Sequence, residues 1–215
     1  NDLKYIVLDE IQNYKYWAET IKILYDTKKN FKIILSGSTS NLLHSTISTR
    51  LSGRFFHVEI FPLSFKEFLD FKNINNPDSF KKLNLFKEYV KFGSFPRIVL
   101  ENYERIKEDL LKNYFQTIYI KDIVYANELR NRKDVFDLLY YLISNSGKLF
   151  SYNKISKLLR IADKTIKEYI EYSKESFLIY ELLKYDKSVK KQIANQKKIY
   201  CLDTGLINAI SFKFS

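Results

Sequence analysis

The 215-residue chain has no methionine, one cysteine, two histidines and no uninterrupted apolar run long enough for a bilayer. Each shortage excludes something. Translation starts at methionine, so a chain that opens on Asn1 reads as a processed or excised piece. A lone Cys201 rules out an internal disulfide framework and fits a reducing compartment. Two histidines and one cysteine are too few for a Cys/His zinc site. With neither a signal peptide nor a spanning stretch, the expected location is cytoplasmic and no membrane partner is expected. No phosphate loop of the form Gly-x-x-x-x-Gly-Lys-Ser/Thr occurs anywhere in the chain.

What is present is a folded composition, 46% apolar, with enough length for one large or two small cores. Lysine and arginine number 36 against 25 aspartates and glutamates, a formal net charge of +11. That balance favours polyanionic partners such as nucleic acid. A solvated lysine-rich surface, from a coding bias toward Lys, Ile, Asn, Tyr and Phe, explains it equally well.

The run Lys4-Tyr5-Ile6-Val7-Leu8 ends in Asp9-Glu10 and reads as a parallel strand with acids at its C-terminal end. Open α/β sheets bind ligands at that end. In a nucleotide hydrolase the first acid holds magnesium and the second orients the attacking water. The plainer alternative is a strand that ends in a solvated turn. A helix over residues 16–26 and a second strand, Phe31 to Leu35, follow. The second strand ends in Ser36-Gly37-Ser38-Thr39-Ser40. Ser38 is placed to sense a γ-phosphate or position water, or else Ser38 or Ser40 caps a helix starting near Asn41. Residues 55–60 predict a third strand. Arg50 and Arg54 precede it and suit either transition-state charge stabilisation or a surface ion pair.

Ser64 and Glu67 spell a capping box that opens a helix. Further helices are expected over 80–92 and 101–118, separated by the turn Gly93-Ser94-Phe95-Pro96. Helices over 135–144, 151–159 and 163–175, then two strands over 177–185 and 198–202 joined by a lysine-rich loop, read as a winged helix-turn-helix. On the helix 163–175 the polar residues Lys164, Thr165, Lys167, Glu168, Glu171 and Lys174 are of mixed charge. The hairpin concentrates Lys184, Lys187, Lys190, Lys191, Lys197 and Lys198, which suits phosphate contact without sequence reading. The alternative is a solvated hairpin on a packing domain. The 17 tyrosines are expected mainly in the core rather than as stacking platforms.

The ordered set Ile-Val-Leu-Asp-Glu-Ile-Gln (6–12), Leu-Ser-Gly-Ser-Thr-Ser-Asn-Leu-Leu (35–43), Leu-Ser-Gly-Arg (51–54), Phe-Pro-Leu-Ser-Phe-Lys-Glu-Phe-Leu (61–69), Gly-Ser-Phe-Pro (93–96) and Lys-Ile-Tyr-Cys-Leu-Asp-Thr-Gly-Leu (198–206) resembles archaeal and bacterial AAA-type ATPases. These are P-loop relatives of the signal-transducing NTPases and carry a C-terminal winged helix. The resemblance implies that Asp9 is the Walker B acid for magnesium and that Glu10 activates water. It further implies that Ser38 is the sensor residue and that Arg54, or more weakly Arg50, is a finger or sensor arginine. The Gly93–Pro96 motif departs from the family's Gly-Gly-Phe-Pro at Ser94, and its implied role is structural.

The fold expected is a partial α/β P-loop core with parallel strands (1–62), a helical lid and connector (63–130) and a winged-helix domain (131–215). The function expected is that of a hydrolase fragment. ATP and magnesium bind in the complete protein, and hydrolysis moves a winged helix that contacts DNA or a protein partner. Lys164, Lys167, Lys187, Lys190, Lys191 and Lys197 are the candidate nucleic-acid contacts. The phosphate loop is expected upstream of residue 1, so this piece is expected to be inactive alone and to hold no nucleotide tightly. An oligomer is expected if Arg54 acts on a neighbour. The alternative is a catalytically inactive winged-helix DNA-binding or protein-interaction module on a degenerate ATPase scaffold.

Overall fold

The computed structural model describes residues 3–27, 30–38 and 55–211. The chain divides into two compact units, Asn1–Glu59 with Glu175–Phe177, and Ile60–Lys174 with Leu178–Ser215.

In the first unit, β1 (Lys4–Leu8) and β2 (Phe31–Leu35) pair in parallel, with Leu8 opposite Leu35. Between them runs α1 (Trp17–Thr27), whose Ile21 is buried with Trp17 and Leu24 against Leu8, Ile33 and Leu35. Side chains alternate across a strand, so this packing covers one face only. Tyr5, Val7 and Ile34 are exposed. The expected continuous buried run is therefore a strand with one covered face.

Residues 55–60 form no strand among the described residues, although their alternation predicts one. Phe56 and Ile60 are each 92% exposed. Alternation favours an extended chain, but a strand also needs a hydrogen-bonded neighbour, and none of the described residues supplies it here. The expected helix from Asn41, together with Arg50 and Arg54, lies outside the described residues.

The second unit begins with α2 (Phe65–Phe71), and the capping box is present. Glu67 N–H donates to Ser64 Oγ at 3.3 Å, and Ser64 N–H donates to Glu67 Oε2 at 2.7 Å. Next come α3 (Ser79–Phe92), α4 (Pro96–Leu100) and α5 (Glu104–Thr117). The helix expected to stop at 118 instead runs on as a π-helix, Ile118–Tyr125. Its wide turns continue past its end through Ala126 N–H to Lys121 O (3.2 Å) and Leu129 N–H to Val124 O (2.9 Å). Along the π-helix Tyr119, Ile123 and Val124 are buried together.

Then follow α6 (Arg132–Ser144), β3 (Leu149–Phe150), α7 (Tyr152–Leu159), α8 (Asp163–Glu175), β4 (Ile179–Leu182), α9 (Val189–Ala194), β5 (Lys197–Cys201) and α10 (Thr204–Ile210). The three strands form an antiparallel sheet in the order β3-β5-β4. The hairpin connection expected as a loop contains the six-residue helix α9.

One core joins Phe92 and Leu111 to Leu138, Leu139, Ile166 and Ile210. Beside it, Glu88 of α3 accepts from Lys107 of α5 at 2.6 Å and from Lys72 at 2.9 Å. Burial raises the Glu88 carboxyl, but the two lysines outweigh it and hold the group below its ordinary value. Among the described residues no helix is long and apolar enough to cross a membrane.

Candidate functional site

The parallel register carries one step past the strands. Ser36 N–H donates to Leu8 O at 3.0 Å, and Ile11 N–H donates to Ser36 O at 3.1 Å. This places Asp9 beside Ser36. Glu10 adopts the left-handed conformation (φ 49°, ψ 46°), which turns the chain into a short 3₁₀ turn, Ile11–Asn13. For a glutamate that conformation costs on the order of 1 kcal/mol.

Two carboxylate–hydroxyl pairs form there, linked through the Glu10 backbone N–H. The Ser36 hydroxyl donates to Asp9 Oδ1 and accepts Glu10 N–H at 3.3 Å. The Ser38 hydroxyl donates to Glu10 Oε2 at 3.3 Å. Asp9 is exposed, and Glu10 and Ser38 are half-buried. The structure thus joins three of the residues singled out in the sequence and adds a fourth, Ser36. The signal for Ser36 was available: once Leu8 and Leu35 are taken as paired strand ends, Asp9 and Ser36 are the next pair.

Two carboxylates and two hydroxyls are hard oxygen ligands, the set that suits magnesium. Magnesium keeps several waters and takes one or two protein carboxylates, with substrate oxygens completing its shell. Asp9 fits that requirement as the one carboxylate, with Glu10 next to it left for another role. Among the described residues, no group of three or more His, Cys, Asp or Glu side chains is gathered to form a protein cage.

The lysines proposed for nucleic acid fall into two groups. On α8, Lys167 pairs with Asp163 at 2.6 Å and Lys164 with Glu168 at 3.9 Å. Lys197 of β5 lies inward: its ammonium is 3.8 Å from Glu181 and 4.7 Å from the centre of the Tyr152 ring. Lys187, Lys190 and Lys191 are exposed and make no ion pair with the described residues.

A second carboxylate–serine cluster was missed in the sequence because its parts lie far apart. Asp203 is 4% exposed. Its Oδ2 accepts from Ser94 N–H at 2.7 Å and from the Ser94 hydroxyl at 2.9 Å. Its Oδ1 accepts from Gly205 N–H at 2.8 Å and Leu206 N–H at 3.3 Å, which caps α10. Burial raises the Asp203 carboxyl above its ordinary value, against the pull of these donors. A Cβ on Gly93 (φ 74°) would sit 1.8 Å from Asp203 Oδ1, and one on Gly205 2.2 Å from Phe92 O. The two glycines are what let the turns close. Nearby, burial pushes the Cys201 thiol up to about 12, so it is no nucleophile at neutral pH.

Residues 83–214 match the model of a family described as a domain of unknown function (DUF8612), and residues 1–69 match that of an AAA domain. An uncharacterized protein of Methanocaldococcus jannaschii is 37% identical over 99% of this chain and 49% of its own length. An uncharacterized protein of Haemophilus influenzae is 34% identical over 94% of this chain and 51% of its own length. A second uncharacterized protein of Methanocaldococcus jannaschii is 29% identical over 97% of this chain and 48% of its own length. The chain spans about half the length of the curated relatives it matches.

Proposed function

The chain belongs to the family described as a domain of unknown function (DUF8612) and is AAA-like over residues 1–69, and from that premise we propose that it is part of an AAA-type ATPase that drives a DNA-contacting winged helix. The observation that carries this reading is the hydrogen-bonded cluster of Asp9, Glu10, Ser36 and Ser38 at the C-terminal ends of two parallel strands. When bound, magnesium-ATP supplies an electrophilic γ-phosphorus with its charge partly neutralised. Asp9, kept in place by the Ser36 hydroxyl, would hold the metal through its carboxylate. Glu10 would orient the attacking water and take its proton as the bond from the γ-phosphorus to the β,γ-bridging oxygen breaks and ADP leaves. Ser38 donates to Glu10 and so positions that base. Arg54, or as a weaker candidate Arg50, is the arginine proposed to stabilise the charge that develops as ADP leaves.

The winged-helix part of the reading is supported by the order helix, strand, helix, helix, strand, short helix, strand from α6 to β5, with β5 lying between β3 and β4 and α9 inserted in the β4–β5 connection. Phosphate contact is supported by the exposed lysines of the β4–β5 connection.

The test is ATP turnover by the complete parent protein, with and without duplex or single-stranded DNA, beside Glu10→Gln. Turnover falling at least ~100-fold in the variant assigns Glu10 its role. Stimulation by DNA supports the DNA contact, and turnover indifferent to DNA points to a protein partner. No turnover from the parent overturns the enzyme and leaves an inactive binding scaffold.

A further inference from the structure

The charges of α8 are balanced within its own neighbourhood. Beyond the two pairs already described, Lys174 lies 2.8 Å from Glu171 and 3.3 Å from Glu181. The connection from β4 to β5 is the opposite. Lys184, Lys187, Lys190 and Lys191 are exposed and make no ion pair with the described residues. The one acid in residues 184–198, Asp186, is engaged locally: its Oδ1 accepts from Ser188 N–H at 2.9 Å. Its backbone carbonyl accepts from the Gln192 amide at 2.5 Å. The same stretch holds three large apolar side chains outward, Tyr185 at 83%, Val189 at 68% and Ile193 at 64% exposed.

Lysines alone would suit the backbone of a duplex. A stacked duplex, however, covers its base faces and leaves Tyr185 with no partner. An unpaired strand presents phosphates and base faces together, and a basic surface bearing an exposed aromatic ring matches both. An anionic membrane also combines charge with apolar contact, but α9 has six residues and two large exposed apolar side chains, too little for an interfacial helix.

We propose that the β4–β5 connection is a binding surface for single-stranded nucleic acid, in which Lys184, Lys187, Lys190 and Lys191 hold the backbone and Tyr185 stacks on a base. The inference rests on the nucleic-acid contact proposed above and narrows it to unpaired strands.

Fluorescence anisotropy of the 215-residue chain with an oligo-dT, a duplex of equal length and phosphatidylserine vesicles tests it. The single strand should bind more tightly than the duplex. Tyr185→Ala should weaken single-strand binding about 5- to 100-fold while Tyr185→Phe retains it. A Lys190→Gln/Lys191→Gln double variant should lower the slope of log affinity against log salt by about 1.4. Tyr185 is exposed, so circular dichroism of its variants should match the parent chain. Duplex bound as tightly as single strand, or a single-strand preference untouched by Tyr185→Ala, overturns this inference and leaves the duplex contact standing. No binding to either nucleic acid overturns the DNA contact itself, and vesicle binding in that case moves the surface to the membrane.

Discussion

Both units contain an aspartate beside a serine, and the two pairs do opposite things. In the second unit Asp203 is 4% exposed, and both its oxygens are filled by Ser94, Gly205 and Leu206. In the first unit Asp9 meets Ser36 at an exposed strand end, with Glu10 and Ser38 beside it. A carboxylate whose lone pairs are consumed by the fold acts as a fastener. One that faces solvent keeps lone pairs for a ligand. Residue type alone does not separate the two; burial and donor count do.

The sharpest break of this contrast is Gly205→Ala. Its Cβ would meet the Phe92 carbonyl at 2.2 Å, a backbone atom and not the end of a flexible side chain. Urea unfolding followed by circular dichroism should show a loss of about 3 kcal/mol, the upper end of overpacking costs. A loss under about 1 kcal/mol would mean that the junction is slack. Asp203→Ala comes next, at about 3 kcal/mol, because three N–H groups and a hydroxyl lose their acceptor. Asp203→Asn should recover little of this. Its amide NH₂ must face either Ser94 N–H or the N–H groups of α10.

Acid sharpens the comparison through Glu88. Its carboxyl is held below 4.5, so its contribution is full above that pH and is lost as pH falls through the lowered value. Asp203 is raised above 3.8; its contribution is full below that pH and is lost as pH rises through the raised value. Thermal melting should therefore fall with acid below pH 4.5 less steeply in Glu88→Gln than in the parent chain. Equal slopes would remove Glu88 from the account. The smallest expected effect is at the candidate site. Asp9→Asn should change unfolding free energy by no more than about 0.5 kcal/mol, because the group is exposed. A larger loss would make Asp9 a second fastener and break the contrast.

Features with a local cause were legible in the sequence. The Ser64–Glu67 capping box, the helix α8 and the strands ending in Asp9 and Ser36 follow from side-chain periodicity and cap chemistry within a few residues. Features that depend on distant partners were not. Residues 55–60 have strand alternation but make no ladder among the described residues. The π-helix depends on burying Tyr119, Ile123 and Val124 at once. Within the β4–β5 connection the lysines and polar residues mask a six-residue helix. Gly93-Ser94-Phe95-Pro96 and Asp203-Thr204-Gly205-Leu206 were both noticed as motifs, yet nothing local says that they touch. At the candidate site, Asp9, Glu10 and Ser38 were legible, whereas Ser36 needed the register.

The Ser94–Asp203 contact closes a loop of 109 residues. A ribosome adds roughly 5–20 residues per second, so Ser94 waits on the order of 5–20 s for its partner to be made. During that interval α3 ends in a turn whose amide has no acceptor, and the helices after it must hold together without their clasp. The second unit is therefore built to mature late, when almost all of its chain has been synthesised. A nascent chain halted before residue 203 should remain open to proteases and chaperones.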